Sequence, residues 1–405
     1  MRTTPAEKIR DYRARGWWGD TRIHDMFDAN ARANPDRLAI VDAPNRADLV
    51  GTPPQRLSFA AAAALVDGYA LSLARLGLGK DDVLVTQLPN IAEYPALYVA
   101  AMRLGIIVSP VPMQFRRHEL EQIVRLTNAK AILTIDQLKG VDQIGIALTL
   151  SADLSKEALT LQVLSLRSAT ATTETPPGAI AFDAAAIDAQ SIAELRSAID
   201  TAAVDADDIA TICWTSGTEG TPKGVPRSHN HWYAISFAHL RGAGIQPGEV
   251  LLNPFPLINM AAIGGCFMSW MHNGGTLVLH HPLDLPTYLK QIAIERPQYA
   301  IAPPALLNML LKNEALLATV DLSSLRCIGS GSAPLDPEMI AGYRDRFGIE
   351  ICNNFGSNEG VSLISNAENA SDPVHRARWF PRFGRDEIQW PSPPPVHIRT
   401  RIINP

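Results

Sequence analysis

Residues 209–224 read IATICWTSGTEGTPKG, a short apolar run followed by a loop rich in glycine and hydroxyl residues. The apolar run is typical of a buried strand. Glycines let the main chain after it turn its N–H groups toward an anion, hydroxyls add donors, and Lys223 adds a positive charge. The stretch therefore predicts a strand that ends in a polyphosphate-binding loop. A plain surface turn rich in glycine and threonine is the alternative.

This loop differs from the common phosphate loop, whose pattern is Gly-x4-Gly-Lys-Ser/Thr. In this chain Lys223 follows Pro222 and precedes Gly224, so no hydroxyl residue stands after the lysine to bind Mg²⁺. This loop is therefore not of that common class.

Helix and strand patterns alternate on both sides of the loop. Apolar residues at helical spacing predict helices over 21–33, 60–76, 94–104 and 119–127. Short β-branched runs such as DVLVTQL, GIIVSPV and AKAILTI predict strands between and after these helices. This alternation is typical of parallel sheets covered by helices on both faces. We expect two such α/β subdomains, over about 17–205 and 206–370.

Two segments depart from this alternation. Residues 136–207 look like an irregular insert, and their Ser/Thr/Ala/Pro run at 167–182 predicts a surface loop. Residues 371–405 are rich in Pro and Arg and end near the strand-like HIRTRII at 397–403. We expect 371–405 to begin a third structural part.

Composition narrows the functional class. The 405 residues are 46% hydrophobic and 19% charged, which is typical of a globular protein rather than a disordered or fibrous one. The net charge of −5 comes with no basic block, which argues against a nucleic-acid partner. No run is long and apolar enough to predict a membrane span.

The cysteines and the N-terminus bear on the cellular compartment. Cys213, Cys266, Cys327 and Cys352 lie far apart, without a CxxC pair or a histidine at metal spacing, so we expect reduced core thiols. The N-terminal residues alternate in charge where a secretory signal needs an apolar run. Together these features predict a cytoplasmic location.

Five motifs in a fixed order carry a family resemblance. TSGTEGTPKGV, with RSHNH directly after it, lies among VTQLPN at 85–90, FPLIN at 255–259, GSGSAP at 329–334 and NNFGSNEG at 353–360. This set resembles the adenylate-forming superfamily of acyl-CoA synthetases, aryl acid–AMP ligases and luciferase, over about 17–405. The opening stretch at 16–42 and FRRHEL at 115–120 look most like cyclohexanecarboxylate and medium-chain acyl-CoA ligases and 2,3-dihydroxybenzoate–AMP ligases.

The resemblance implies a fold and a reaction. The fold is a large N-terminal AMP-binding domain with two parallel-sheet αβαβα subdomains and the start of a distorted β-barrel. The reaction joins a carboxylic acid to the α-phosphate of ATP and passes the acyl group to a thiol. ATP, Mg²⁺ and coenzyme A are the implied cofactors, and a small carboxylic acid is the implied partner. A homodimer is an assembly that the resemblance allows.

The resemblance also implies which residues hold the nucleotide. The loop residues Thr215, Ser216, Gly217, Thr218, Glu219, Gly220, Thr221 and Lys223 would surround the β- and γ-phosphates. Gly331, Ser332, Ala333, Pro334, Asn354, Phe355, Gly356 and Asn358 would border the adenine and the α-phosphate. Phe355 stands where relatives usually carry a tyrosine and would stack on adenine. Asn358 stands where a threonine usually contacts the α-phosphate.

The resemblance also implies metal-binding and catalytic residues. Glu359, together with Thr218, matches the ligands that hold Mg²⁺, a cation that prefers oxygen ligands. Lys223, Asn358 and Glu359 are the catalytic candidates. A solvated loop carboxylate is the alternative for Glu359, and a core aromatic is the alternative for Phe355.

The acid would lie beside Asn259, Met260, Ile263 and Gly329. Asn259 falls where many relatives carry a histidine, and an asparagine donates hydrogen bonds without changing charge near neutral pH. Apolar residues at helical spacing in this stretch, including Phe267, also fit a simple core. Aromatic, alicyclic and medium-chain aliphatic acids stay open. We expect a structural role for His229.

The chain departs from its relatives near its end. Relatives continue through a TGD-like acidic motif and a hinge to a C-terminal domain on the order of 100 residues that carries a catalytic lysine. These motifs do not occur in this sequence. Three interpretations follow: a shortened acid–thiol ligase with strongly reduced activity, an aryl acid–AMP ligase of the siderophore type, or a non-catalytic fragment that binds nucleotide or acyl ligand.

Overall fold

The computed structural model describes residues 1–166, 174–215, 222–360, 362–385 and 387–390. These residues form two compact units. The first unit comprises Met1–Ile9, Gly19–Asn230 and Pro256–Asn259. The second unit comprises Arg10–Trp18, His231–Phe255 and Met260–Pro405.

Helices occur along the whole described part of the chain. In chain order they are α1 (Ala6–Ala14), α2 (Ile23–Ala33), α3 (Arg46–Val50), α4 (Phe59–Arg75), α5 (Glu93–Arg103), α6 (Arg117–Thr127), α7 (Gln143–Ser155), α8 (Ala189–Ala202), α9 (His229–Gly242), α10 (Met260–Ala262), α11 (Met268–Asn273), α12 (Leu285–Glu295), α13 (Pro304–Lys312), α14 (Glu314–Leu317), α15 (Pro337–Phe347) and α16 (Pro373–Arg378). A turn of π-helix, Ile263–Phe267, joins α10 to α11.

The strands alternate with these helices. They are β1 (Leu38–Val41), β2 (Arg56–Ser58), β3 (Val83–Gln87), β4 (Ile107–Pro110), β5 (Ala131–Thr134), β6 (Gln137–Leu138), β7 (Val141–Asp142), β8 (Gln162–Leu166), β9 (Ile180–Phe182), β10 (Ile209–Thr215), β11 (Lys223–Ser228), β12 (Val250–Asn253), β13 (Thr276–Leu279), β14 (Tyr299–Ile301), β15 (Cys327–Gly331), β16 (Glu350–Phe355) and β17 (Leu363–Ser365).

The first unit contains a seven-stranded sheet in the order β11-β10-β4-β3-β5-β8-β9. All neighbours from β10 to β9 are parallel, and β11 alone runs antiparallel, to β10. The central strands are buried on both faces, as in Val83–Gln87, where every residue is buried. Their mainly apolar sequences fit this burial, because helices cover both faces of a parallel sheet.

The predicted helices of this unit are confirmed within a few residues. Helix α4 begins at Phe59 because the hydroxyl of Ser58 accepts a hydrogen bond from the Ala61 N–H at 3.2 Å, the usual N-cap arrangement. Helix α5 is buried at every residue, Arg103 included. The Arg103 guanidinium is neutralised by the carboxylates of Asp28 and Asp67.

The second unit contains the strands β17-β16-β15-β14-β12-β13 as consecutive neighbours. The pairings from β16 through β13 are parallel, and β17 is antiparallel to β16. Because the carboxyl ends of parallel strands meet at one edge, the motifs that follow β15 and β16 are brought together there. The predicted mixed α/β fold with mainly parallel sheets is confirmed.

The segment 136–207, which the sequence led us to expect as irregular, is more ordered than that. It contains the helices α7 and α8 and the strands β8 and β9, and β8 and β9 extend the parallel sheet. The apolar run of α7 packs Ile144, Ala147 and Leu150 into the core around β3 and β5. Residues 167–173 of the predicted loop and the strand-like 397–403 lie outside the described residues.

Two further expectations can be compared with the structure. All four cysteines are buried and free of disulfides, which confirms the prediction of core thiols. Within the part of the chain that the structure describes, no helix has the length and apolarity needed to traverse a bilayer.

Candidate functional site

The ends of the predicted phosphate loop are fixed by a hairpin in the first unit. Strands β10 and β11 pair antiparallel, and their last pair is Thr215 with Lys223. Residues Ser216, Gly217, Thr218, Glu219, Gly220 and Thr221 lie outside the described residues. Lys223, the first residue of β11, is exposed. Its side chain is therefore accessible to a ligand.

Neighbouring contacts hold this hairpin in place. The indole N–H of Trp214 donates to the Ser109 hydroxyl at 2.8 Å, which ties β10 to β4. At Gly224 an added Cβ would lie 2.8 Å from Ile212 Cγ2 and 3.1 Å from the Trp214 ring. A side chain at residue 224 would push against both, so glycine allows the close packing of the strand that follows the loop.

Two other motifs that carry the family resemblance, VTQLPN at 85–90 and FPLIN at 255–259, contact each other within the first unit. The Leu257 N–H donates to the side-chain oxygen of Asn90 at 3.0 Å, and the Tyr98 hydroxyl donates to the Leu257 carbonyl at 2.7 Å. VTQLPN and FPLIN are therefore in direct contact, although more than 160 residues separate them in the sequence. The half-buried Asn259 follows directly and belongs to the same unit.

The remaining predicted residues belong to the second unit, where GSGSAP and NNFGSNEG follow adjacent strands. Gly331 pairs with Asn354, and an added Cβ at Gly331 would collide with the Asn354 carbonyl oxygen. Ser332 then adopts a left-handed φ of 66°, which turns the chain toward Ala333 and Pro334. The requirement for glycine at residue 331 is thus steric.

Phe355 ends β16 with its ring largely exposed, at 58% of its full accessibility. Its ring centroid lies 5.8 Å from that of Phe380. An exposed aromatic ring on a strand end offers a flat apolar surface for a base. The alternative that Phe355 is a core aromatic is wrong, because its ring is not buried. Gly356 follows it, and an added Cβ there would contact Ser362 and Met260.

Asn358 and Met260 are brought together by a hydrogen bond. The Asn358 side-chain oxygen accepts from the Met260 N–H at 3.1 Å, and both residues are buried. Glu359, the next residue, is exposed. The predicted phosphate-contacting amide is thus anchored to the segment predicted to border the acid, while the predicted metal-binding carboxylate faces outward.

The segment that begins at Met260 is a short helix that widens into the π-helical turn Ile263–Phe267. Such turns are frequent at functional sites. Ile263 and Phe267 are fully buried, which fits the core interpretation of these two residues, whereas Met260 is 7% exposed. An added Cβ at Gly264 would lie 3.2 Å from the Met260 sulfur, so Met260 packs closely over that glycine.

A cluster of polar side chains that the sequence did not reveal packs against Gly329; it consists of His239, Tyr299 and Asn354. His239 Nε2 is 2.7 Å from the Tyr299 hydroxyl, and an added Cβ at Gly329 would collide with that hydroxyl and lie 2.6 Å from Asn354 Nδ2. Burial lowers the pKa of His239 to about 4 and raises that of Tyr299. Both are therefore neutral at pH 7. Since these residues come from α9, β14 and β16, no local pattern could have indicated the cluster.

His229 has the structural role that we expected. It is buried, and its Nδ1 accepts a hydrogen bond from the Ile23 N–H at 3.2 Å. Burial lowers the pKa of His229 to about 4, so the ring is neutral at pH 7.

Among the described residues, no three His, Cys, Asp or Glu side chains come together as a metal-binding group. An exposed carboxylate such as Glu359 still fits Mg²⁺, because that ion is commonly held by one or two carboxylates together with substrate phosphates. Thr218, the second predicted ligand, lies outside the described residues.

A large cleft in the first unit is separate from all these residues. Its volume is about 1040 Å³, and its walls include Arg46, Glu93, Asp136 and Lys139. Arg46 is buried there and pairs with Asp42 at 2.7 Å and with Glu93 at 2.6 Å. The cleft also borders Leu166 and Glu174, the two residues that flank the undescribed 167–173.

Comparison with known proteins adds to this geometry. The family model described as "AMP-binding enzyme" matches residues 27–388. A probable CoA ligase, CCL5, from Humulus lupulus is 26% identical over 385 residues, which are 93% of this chain and 62% of that protein. A medium-chain fatty-acid–CoA ligase from Escherichia coli is 27% identical over 372 residues, 90% of this chain and 60% of that protein. The chain thus spans about three fifths of the length of these relatives.

The solved structures agree with the fold. The apo structure of MbtA from Mycobacterium smegmatis superposes with a TM-score of 0.72 at 22% identity, over 92% of this chain and 63% of that chain. At this identity the likeness supports the fold alone.

Proposed function

This chain belongs to the AMP-binding enzyme family, and from that premise we propose that it activates a carboxylic acid with ATP to form an acyl-adenylate. In the proposed second step the acyl group passes to the thiol of coenzyme A. The proposal is supported by the match over residues 27–388 together with the edge of the second unit where Gly331, Asn354 and Phe355 meet.

The physical difficulty of the first step is the attack of one anion on another. The site must neutralise charge and align the carboxylate with the α-phosphate. We assign Lys223 and the loop after Thr215 to the β- and γ-phosphates. Lys223 pairs with Thr215 where the two strands of the hairpin meet this loop, and its side chain is exposed. Asn358 would contact the α-phosphate through its amide nitrogen, since its oxygen accepts from Met260.

Adenine and Mg²⁺ complete the nucleotide site. The exposed ring of Phe355 would stack on the base beside the main chain of Gly331–Pro334. Glu359 and Thr218 would hold Mg²⁺, which supplies positive charge against the phosphate oxygens. The acid would lie beside Asn259, Met260, Ile263 and Gly329. These residue assignments rest on the resemblance and on the placement of the described side chains.

Two measurements on the 405-residue chain test the proposal. Isothermal titration calorimetry with ATP and Mg²⁺ should detect binding, and carboxylic acids should stimulate exchange of labelled pyrophosphate into ATP. The second candidate, a non-catalytic fragment, is favoured if ATP binds but no acid stimulates exchange. Absence of any ATP binding would refute the first candidate and would leave, of the second, only a chain that binds an acyl ligand. Hydroxamate trapping over a panel of acids then separates aryl from alicyclic and aliphatic substrates.

A further inference from the structure

Two cysteines lie side by side in the sheet of the second unit. Cys327 begins β15, Cys352 lies on the neighbouring strand β16, and their sulfur atoms are 3.3 Å apart. Both are free thiols, and this separation is a hydrogen-bonded contact rather than a covalent bond, which is about 2.05 Å long. The two sulfurs are therefore already positioned to react with each other.

The hydrogen bonds of this pair have a direction. The Cys352 thiol donates to the carbonyl oxygen of Gly242, the last residue of helix α9, at 3.9 Å. Its proton is thus turned away from Cys327, and the Cys327 thiol donates to the Cys352 sulfur. The hydrogen bond with Cys352 and burial raise the pKa of Cys327, so this thiol stays protonated at pH 7. The resting pair is a protonated dithiol.

The end of helix α9 controls access to the pair. Both residues are buried, Cys327 at 1% and Cys352 at 3% of full exposure. Helix ends open at a small free-energy cost compared with the middle of a fold. Because the Gly242 carbonyl lies against the Cys352 sulfur, opening of this helix end exposes that sulfur first. A solute as small as hydrogen peroxide can then reach it.

The ladder between β15 and β16 places the two cysteines on a diagonal. Cys327 pairs with Glu350 and Cys352 pairs with Gly329, so the two positions are offset by two residues. A rise of about 3.3 Å per residue and a strand separation of about 4.8 Å put the Cα atoms of such a diagonal about 8 Å apart. A disulfide needs Cα atoms within about 7 Å of each other. Closing the bond therefore shifts β15 against β16.

Both strands lead directly into the proposed nucleotide site. Strand β15 ends at Gly331, and β16 ends at Phe355, whose ring we assign to adenine. The two strand ends are tightly packed, since an added Cβ at Gly331 would collide with the Asn354 carbonyl oxygen. Closely packed interiors transmit strain. A shift between the strands at the cysteines therefore displaces the residues that follow.

We propose that Cys327 and Cys352 are an oxidation site, that hydrogen peroxide joins them in a reversible disulfide, and that this bond weakens ATP binding at the ends of β15 and β16. A bond that forms only with a backbone shift is strained, and strained disulfides are the readily reduced ones. Formation of the bond does not depend on the proposed function. Only its effect on ATP rests on that function.

The chemistry of the step balances. The Cys352 sulfur attacks one peroxide oxygen, the O–O bond breaks, and the released hydroxide takes the thiol proton and leaves as water. The Cys327 sulfur then attacks the resulting sulfenic sulfur, the S–O bond breaks, and hydroxide leaves with the Cys327 proton as a second water. Two thiols are oxidised by two electrons, and one hydrogen peroxide is reduced to two waters.

Mass spectrometry of the peroxide-treated 405-residue chain tests the bond itself. The oxidised chain should have the mass of a monomer less two hydrogen atoms. Trypsin cleaves after Arg326, Arg344 and Arg346, so the two cysteines fall on separate peptides, which should be linked until dithiothreitol is added. Alkylation of both sulfurs after peroxide treatment overturns the oxidation site. Sulfinic acid at Cys352 without a linked peptide does the same, because the second thiol then failed to reach it.

Cys327→Ala and Cys352→Ala should lose the linked peptides. Cys266→Ala is the matched control, because it removes another buried thiol, which donates to the Leu252 carbonyl at 4.0 Å, and leaves the pair intact. This variant should form the link as the native chain does. A link that persists in Cys352→Ala would overturn the assignment.

Calorimetry with ATP and Mg²⁺, before and after oxidation, tests the effect on the nucleotide. The oxidised chain should bind ATP about tenfold more weakly, and dithiothreitol should restore the affinity. By linkage, saturating ATP should favour the dithiol by the same factor in a glutathione buffer, a shift of about 30 mV for tenfold. Peroxide treatment of Cys352→Ala should leave its ATP affinity unchanged.

Two results of the calorimetry have different consequences. Equal ATP affinity of the reduced and oxidised native chains overturns the coupling while leaving the proposed function in place. If the reduced chain does not bind ATP, the proposed function fails and the effect on ATP fails with it, whereas the linked peptides still support the oxidation site.

Discussion

The side-chain oxygen of Asn358 accepts a hydrogen bond from the main-chain N–H of Met260 at 3.1 Å. Asn358 belongs to the motif NNFGSNEG. Met260 is the first residue of helix α10, directly after the motif FPLIN, and lies 98 positions earlier in the chain. One amide therefore serves as the structural link between the segments assigned to the α-phosphate and to the acid.

Replacing Asn358 with alanine should reduce the free energy of unfolding by about 1–3 kcal/mol, because the buried Met260 N–H loses its acceptor. Urea unfolding followed by circular dichroism measures this change. Asn308→Ala, a truncation of the same size on the half-buried side of helix α13, should cost much less. Equal losses in the two variants would mean that the Asn358–Met260 bond contributes little.

Lys223→Ala should weaken ATP binding about 10- to 100-fold, which corresponds to a charge-assisted hydrogen bond to phosphate. The affinity for AMP should change far less, because AMP lacks the β- and γ-phosphates. Calorimetry with both nucleotides gives the two ratios. Lys290→Ala, which removes an exposed lysine from helix α12, is the control and should leave both affinities unchanged. An equal effect of Lys223→Ala on ATP and AMP would contradict the phosphate assignment.

The sequence predicted the fold well because its signals are local. The apolar run Val83–Gln87 indicates a strand that is buried on both faces, and helix α4 begins where Ser58 can cap it. The order of the insert at 136–207 is only weakly marked in the sequence of helix α7, where the polar residues Thr149, Ser151 and Asp153 do not gather on a strong polar face. Helix α8 does carry Ile192, Leu195 and Ile199 at helical spacing, a signal that could have predicted it.

The site was less predictable than the fold. The order of the motifs predicted Phe355 and Asn358 as site residues. The exposed ring of Phe355 and the buried amide of Asn358 fit a ligand-binding site at the carboxyl end of the parallel strands. The partners of these residues could not be read from the sequence. Asn358 pairs with Met260, and Tyr299 pairs with His239, through contacts between segments that are distant in the chain. Such pairings depend on strand order, which a single sequence does not specify.

Gly329→Ala should destabilise the second unit by about 1–3 kcal/mol, because the added methyl group displaces the Tyr299 hydroxyl and the Asn354 amide. Thermal and urea unfolding report the loss. In the double variant with Tyr299→Phe the two costs should not add, since the phenylalanine has already removed the atom that the methyl group meets. Strict additivity would show that the methyl group is accommodated elsewhere.

Arg46→Met should destabilise the first unit by about 3–5 kcal/mol, because it leaves the buried carboxylates of Asp42 and Glu93 without their cation. Arg75→Met offers a matched comparison, since it breaks an exposed pair with Glu194 and should cost far less. Urea unfolding of both variants gives the difference. A small effect at Arg46 would mean that the two carboxylates take up protons at little cost.

The buried histidine His229 should make the stability of the chain fall in weak acid. Its folded-state pKa of about 4 lies below the ordinary value of 6.5, so between these values the unfolded chain binds a proton that the folded chain does not. The stability that depends on neutral His229 is complete above pH 6.5 and decreases as the pH drops toward 4. His24, whose ring contacts His229 at a centroid distance of 5.7 Å, has its pKa lowered to about 3 and acts in the same direction.

His229→Asn isolates this contribution, because the asparagine oxygen can replace Nδ1 as the acceptor of the Ile23 N–H but does not titrate. Urea midpoints at pH 7 and at pH 4.5 should show that the native chain loses about 2 kcal/mol more than the variant over this interval. His118→Asn, at an exposed position on helix α6, should retain the native pH dependence. Identical pH profiles for the native chain and His229→Asn would mean that His229 titrates in the folded chain as it does in the unfolded one.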